Sequence, residues 1–236
     1  MSTLIIDIET VGEDFALFDQ PTKDALSWWL KKEAKTKAEY EAALSELKDG
    51  LGFSPLTGQI VVIGVLDVTK NKGKVYFQAP GQKIKNFKEG NFEFECLSEP
   101  EMLKKFWQGV LRYNEFVTFN GKSFDIPFLM IRSAKHKIRP SKNLMSNRYL
   151  GSQKTNAKHV DLLDELNFYG AVRKKGNLHL WSRVFGVDSP KAQGITGDDV
   201  NRLFFEKKFI EIAKYNTGDL TATKELYDFW KNFLRF

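Results

Sequence analysis

Apolar positions along the chain follow two rhythms. Thr3-Leu4-Ile5-Ile6-Asp7-Ile8-Glu9 is short, rich in β-branched residues and closed by acids, which predicts a buried strand over 3–9. Gln59-Ile60-Val61-Val62-Ile63-Gly64-Val65-Leu66 carries the strongest strand signal. Lys74–Ala79, reached through an Asn71-Lys72-Gly73 turn, is expected to pair with it as a hairpin. Glu115-Phe116-Val117-Thr118-Phe119 predicts a further buried strand, with Asn120-Gly121 turning the chain. Between Asp14 and Gly50 the spacing becomes helical. Lys, Glu and Ala dominate there, and Trp28, Trp29, Leu30, Tyr40, Leu44 and Leu47 fall at intervals that predict one or two amphipathic helices. Ser98, with Glu101 three residues on, forms a capping-box signature for a helix whose apolar face is Met102, Leu103, Phe106, Val110 and Leu111.

The lysine-rich stretch from Gly81 to Gly90 reads as a loop. So does the basic, aperiodic stretch from Lys135 to about Lys158, an extended surface segment expected to take its order from a bound substrate. Pro127 marks the first turn of a helix, where its missing N–H costs nothing. The remainder predicts helices around Leu162–Phe168, Leu178–Phe185, Val200–Phe205 and Phe209–Phe233. A strand, an insertion, a hairpin, a helix, a strand and then mostly helices describe an α/β domain around a mixed central sheet. A length of 236 residues suits one domain, 1–236, with 14–50 as a helical insertion after the first strand.

Composition narrows the function classes. A hydrophobic fraction of 42% excludes wholesale disorder, and most of the 20 phenylalanines are expected in the core. A formal charge of +6 fits a polyanionic partner. Cys96 is the single cysteine, which leaves no intramolecular disulfide and argues against a thiolate zinc site. Only Leu4-Ile5-Ile6 precedes Asp7, too short for a signal peptide, and no apolar run reaches membrane-spanning length; the expectation is a cytoplasmic protein without membrane contact.

Three acidic motifs stand out. Asp7 and Glu9 alternate on a strand, so both side chains point to one face, the geometry two carboxylates need to share a metal. Pairs at this spacing are common, and Glu39/Glu41, Glu93/Glu95 and Glu99/Glu101 occur in the same chain. The first pair differs in its apolar strand, where acids are costly to bury without a counter-charge or a metal. Asp125 follows a strand and a turn, and by itself reads as a helix N-cap. Tyr215 and Asp219 share a helical face, with Gly218 beside the acid marking either a close approach or a kink.

Taken in order, Asp7-Ile8-Glu9-Thr10, Asn120-Gly121-Lys122-Ser123-Phe124-Asp125 and Tyr215-Asn216-Thr217-Gly218-Asp219 resemble the DEDD superfamily of 3′–5′ exonucleases, in its tyrosine-bearing DEDDy branch. Ser54-Pro55 leading into Gln59–Gly64, Phe124-Asp125-Ile126-Pro127-Phe128-Leu129, His159-Val160-Asp161-Leu162-Leu163, and Phe185-Gly186-Val187 through Asp199-Val200 are similar to segments of the exonuclease domains of family-B DNA polymerases. The resemblance covers nearly the whole chain and is weakest in 13–50 and 68–95. The histidine-bearing sister branch has its histidine five residues before the last acid, where this chain has Lys214. His136, His159 and His179 read as surface or packing residues.

The resemblance implies a ribonuclease H-like sheet carrying a site for two divalent metal ions, Mg²⁺ or Mn²⁺. Asp7, Glu9 and Asp219 would hold one ion, Asp7 would bridge to the second, and Asp125 would support it, an all-oxygen donor set suited to hard cations. Tyr215 would aim a water rather than take its proton. The implied reaction releases nucleoside 5′-monophosphates from the 3′ end of a nucleic acid, single-stranded DNA first and RNA as the alternative. Thr10 and Asn120 match positions that contact the terminal nucleotide. Phe124 matches one where an aromatic stacks on a base, and core packing explains it equally well. The cations of 135–158 with Arg173, Lys174 and Lys175 are candidate phosphate contacts or a solvated face. A non-catalytic nucleic-acid-binding module on the same fold is the alternative from another class, disfavoured because all four acids and the tyrosine are present. The 14–50 insertion reads as a cap beside the site, as padding, or as a docking surface for a protein partner through Trp28 and Trp29.

Overall fold

In the computed structural model, which describes residues 2–188, 197 and 199–235, the first apolar block forms strand β1 (Thr3–Gly12). It is longer than the expected 3–9. Its antiparallel ladder with β2 (Gly58–Asp67) continues past the acids through a register shift between Glu9 and Thr10. Asp7 and Glu9 therefore lie within the strand rather than at its end. β2 returns through Asn71, whose φ of 50° suits the turn, into β3 (Lys72–Phe77), the predicted hairpin. β4 (Phe87–Glu89), β5 (Phe92–Cys96), β6 (Glu115–Thr118) and β7 (Lys158–Asp161) complete a mixed sheet of seven strands in the order β4-β5-β3-β2-β1-β6-β7. β6 runs parallel to both β1 and β7.

β4 corrects the expectation of a loop over Gly81–Gly90. Its Phe87 stacks on Phe94 of β5 with ring centroids 4.5 Å apart, while Lys88 meets Glu93 across the strands at 2.6 Å. A short, charged edge strand of this kind leaves little exposed template for unwanted pairing.

Alternation along β1 sorts its side chains between two cores. Leu4, Ile6 and Ile8 join Ile60 and Ile63 against α4 (Glu99–Gly109) and α5 (Asp125–Lys135), through Met102, Leu103, Phe106, Ile126 and Leu129. Ile5 and Val11 face the other way, into a core with Leu203 of α8 (Asp199–Phe205) and Ile212, Leu220 and Leu226 of α9 (Phe209–Phe233). By the same period of two, Asp7 and Glu9 point at α9. α9 runs through Gly218 without a break, so that glycine marks no kink. A close approach of α9 to the sheet is made at Gly64 of β2: a Cβ there would lie 1.8 Å from Asn216 Oδ1 and 2.7 Å from Leu220 Cδ1.

The capping box at Ser98 forms as predicted, and Met102, Leu103, Phe106 and Val110 are buried. Leu111 is exposed instead, because the chain tightens into a 3-10 turn over Val110–Arg112 and rotates it outward. Under α4 and α5 lies a buried ion pair: Arg132 donates from Nε and Nη2 to the two oxygens of Glu99, both at 2.8 Å, and Ile60 N–H donates to Glu99 Oε1 at 2.9 Å.

The 14–50 segment holds three helices in place of one or two: α1 (Gln20–Ser27), α2 (Leu30–Glu33) and α3 (Lys37–Asp49). Leu30 is buried, whereas Trp28 and Trp29 are 55% and 42% exposed. The end of the segment is tied to β1: Thr10 Oγ1 donates to Gly52 O at 2.7 Å, and Asn201 of α8 joins Gly12 N–H to Asp49 O. The 135–158 stretch is irregular as expected, but its order comes from the protein itself. Leu144 is buried, Lys142 Nζ donates to Asn156 O at 2.7 Å, and the Gln153 amide exchanges hydrogen bonds with the His159 backbone. α6 (Leu162–Leu166) is shorter than predicted and passes into a 3-10 turn, and α7 (Leu178–Phe185) matches its predicted span. Among the described residues no helix is long and apolar enough to cross a membrane.

Candidate metal centre

Two elements bring three carboxylates together. β1 presents Asp7 and Glu9 from one face, and α9, seated closely on Gly64, presents Asp219 toward them. Among the described residues, one oxygen from each of Asp7, Glu9 and Asp219 lies within 4.8 Å of the others. Oxygens on opposite sides of one Mg²⁺ or Ca²⁺ stand about 4–5 Å apart, given ligand distances of about 2.0–2.6 Å. The donor set and spacing fit a hard divalent cation.

The electrostatics agree with the geometry. Burial lifts Asp7 well above the usual carboxylate range, and the charges of Asp219, Glu9 and Asp125 add to it. Glu9 is raised in the same way, first by burial and then by Asp219, against a hydrogen bond from Asn216 that lowers it. The other acid pairs of the sequence find partners of a different kind. Glu93 meets Lys74 and Lys88, Glu95 meets Lys105, Glu41 meets Lys37, Glu99 meets Arg132 and Glu101 caps Ser98. Asp7 and Glu9 meet acids and a neutral amide. Converging like charges hold together where something positive joins them.

Asp125 stands outside this trio but next to it. The expected N-cap does not form: Phe124 occupies the cap position, Asp125 is the first helical residue of α5, and its Oδ1 accepts from Ile8 N–H of β1 at 3.1 Å. β1 and β6 pair only over Thr3–Ile5, so Ile8 N–H has no strand partner on that side. Burial brings the Asp125 carboxyl up to about 7, with Asp161 and Asp219 adding to the rise and its own and Ile8's backbone N–H groups working against it. The Tyr215 phenol is likewise pushed upward, by burial first and then by Asp219, Glu9 and Asp7. It stays protonated at neutral pH and acts as a hydrogen-bond donor.

These shifts make stability depend on pH and on metal together. In the folded protein the acids keep protons that the unfolded chain has already released at about pH 4. Stability contributed by their protonation is therefore lost as pH rises toward about 7, the value for Asp125. A cation that binds the ionised acids restores it. In melting experiments with EDTA or Mg²⁺, the Mg²⁺-induced rise in Tm is expected to be larger at pH 7.5 than at pH 5. An equal rise at both would show that the acids ionise independently of the metal.

The remaining sequence-selected residues surround the centre at greater distance. Thr10 lies one residue past Glu9, with its hydroxyl committed to Gly52 O. Asn120 is exposed at a φ of 63°, and its N–H and that of Lys122 donate to the two oxygens of buried Asp161, at 2.8 and 2.9 Å. Asp161 thus straps the loop that leads to Asp125. Phe124 is half-buried, its ring centroid 5.1 Å from that of Phe128. Its exposed part lines a cleft of about 970 Å³ with Glu9, Thr10, Phe15, Phe53 and Phe205. Core packing and access to the cleft thus coexist in Phe124. From the 14–50 segment, the end of α3 reaches this cleft, where Glu46, Lys48 and the following Gly50–Phe53 form one wall.

His159 is fully buried, its Nε2 against Thr118 Oγ1 and its Nδ1 against Leu144 O, and burial lowers its pKa to about 3. His136 bonds Glu99 at 2.7 Å. Both are packing residues. Arg173, Lys174 and Lys175 are exposed. A second cavity, about 880 Å³, opens on the α4 face among Lys70, Lys74, Lys88 and Lys105, but these lysines are already matched by Asp67, Glu93 and Glu95. Sequence reading missed Gly64 and Asn216. A glycine inside an apolar strand and an asparagine inside a helix carry no local sign of what faces them.

A family model described as a predicted 3′–5′ exonuclease related to the exonuclease domain of PolB matches residues 58–233. The match begins at β2, so the β1 acids lie outside it and are joined to it by the sheet. Among solved structures, a family B DNA polymerase from the hyperthermophilic archaeon Pyrobaculum calidifontis is similar with a TM-score of 0.60 and 16% identity, over 99% of this chain and 25% of that one. The chain spans about a quarter of that polymerase, and the likeness is one of fold. No curated protein matches.

Proposed function

Because the chain belongs to the family of predicted 3′–5′ exonucleases related to the exonuclease domain of PolB, we propose that it removes nucleotides from the 3′ end of single-stranded DNA, releasing nucleoside 5′-monophosphates, with Asp7, Glu9, Asp125, Tyr215 and Asp219 as its active-site residues. The observation that carries this reading is the convergence of Asp7, Glu9 and Asp219, with the Asp7 and Glu9 carboxyls raised, beside Asp125 and Tyr215. Mg²⁺ or Mn²⁺ held by these acids would supply an activated water and neutralise charge on the phosphate and its leaving oxygen. Asp7, Glu9 and Asp219 are the ligand candidates, and Asp125 adds a carboxylate on the β6 side.

Tyr215 stays protonated with its single O–H directed to Asp219; released from Asp219 when a cation engages that carboxylate, the O–H would orient a water or a phosphate oxygen. The cleft beside Glu9 and Thr10, with Phe124, Phe53 and Phe205 on its walls, offers aromatic faces on which unpaired bases stack without regard to sequence. A positive net charge assists approach to a polyanion.

Digestion of 5′-labelled single-stranded DNA and RNA, with Mg²⁺, Mn²⁺ or EDTA, tests this reading. A metal-dependent ladder shortening from the 3′ end of DNA is the expected result. Cleavage of RNA alone would replace the substrate, and cleavage of neither with binding retained would point to a non-catalytic module.

A further inference from the structure

Asn216 follows Tyr215 in α9 and is fully buried between that helix and the sheet. Its Nδ2 donates to Asp7 Oδ2 at 2.6 Å and to Glu9 Oε1 at 3.3 Å, so both of its N–H groups are directed to the two β1 carboxylates. Among the described residues its carbonyl Oδ1 is buried with no hydrogen-bond partner, against the bare Cα of Gly64. A buried carbonyl left unpaired bears the full penalty of losing water. Turning the amide over would not relieve it, because the oxygen would then face two acids. The orientation is fixed by the carboxylates.

We infer that Asn216 is a positioning residue that holds Asp7 and Glu9 convergent on Asp219 and thereby sets how tightly the centre takes a divalent cation, an inference that rests on the metal reading proposed above. Asn216 and Asp219 are three apart on one helix and so share a face. A single register of α9 on β2 therefore delivers both the third ligand candidate and the amide that aims the other two. Gly64 permits that register, since any side chain there would collide with the amide. Each β1 carboxylate keeps a second oxygen that Asn216 does not engage.

Partners of this kind, which hydrogen-bond ligating side chains, commonly change metal affinity by about 10–100-fold when removed. The test is calorimetric titration of Mn²⁺ into the wild type and Asn216→Leu, each checked for folding by its melting curve. Leucine keeps the branched four-atom shape and removes the donor. The expected result is Mn²⁺ affinity about 10–100-fold weaker in Asn216→Leu than in the wild type. Equal affinity in the wild type and Asn216→Leu would overturn this inference alone and leave Asn216 as a packing residue. No binding to the wild type would overturn the metal reading and this inference with it.

The wild type gives a second readout that needs no variant. The Asn216 side-chain NH₂ resonances are expected to be protected from solvent exchange and displaced when Mg²⁺ is added. Rapid exchange with no displacement would overturn the assignment whether or not Asn216→Leu folds.

Discussion

Replacing Asp7 by asparagine is expected to lower metal-dependent hydrolysis by at least about 1000-fold while leaving the protein folded. A bound divalent cation contributes several kcal/mol to the transition state, and each 1.36 kcal/mol is a factor of ten in rate. Asparagine preserves the volume and a carbonyl oxygen but removes the charge. It also removes one of the like charges that converge with Glu9 and Asp219. The Tm of Asp7→Asn in EDTA at pH 7.5 should therefore equal or exceed that of the wild type, and its response to Mg²⁺ should shrink. The combination separates a ligand from a structural residue: activity disappears while metal-free stability holds or rises. Retention of wild-type activity in Mg²⁺ would remove Asp7 from the centre.

Arg132→Met is expected to produce the largest loss of stability. Arg132 and Glu99 are 3% and 4% exposed and joined by two hydrogen bonds of 2.8 Å. Burial disfavours the Glu99 carboxylate, but Arg132 and His136 more than offset it and hold the group below its ordinary value. Removing one partner of a buried pair leaves an uncompensated charge, at a cost of about 3–5 kcal/mol. For a chain of this size that corresponds to a fall in Tm of about 10 °C. Adding Glu99→Gln to Arg132→Met should recover part of the loss, because the stranded charge is gone. A single variant that melts within about 2 °C of the wild type would show that His136 and solvent compensate for the guanidinium.

The legible parts of this protein were those with a strong local period or a local chemical signature. β2 and β3 declared themselves by continuous apolar β-branched residues around an Asn-Lys-Gly turn, α4 by its capping box, and α9 by its long helical spacing. β4 did not, because its lysines suit an edge strand as well as a loop, and the deciding contact is a phenylalanine stack with β5. The 14–50 helices were recognisable as helices, but their number was not. α3 buries no residue completely, so no clean apolar face fixes its limits.

At the candidate centre the division follows the same line. The sequence by itself determined which residue types are present and on which face of their own element each lies: Asp7 and Glu9 on one side of a strand, Tyr215 and Asp219 on one side of a helix. Period and chirality settle such local questions. Only the tertiary structure decided that those two faces meet, because the distance between β1 and α9 is set by a missing side chain at Gly64 more than 140 residues before the helix that rests on it. It also decided that Asp125 bonds β1 rather than capping its own helix, since β6 pairs with β1 only as far as Ile5 and leaves the Ile8 N–H for a side chain to fill. Asn216 belongs to the same class. Its role depends on two carboxylates more than 200 residues away, and no local pattern carries that information.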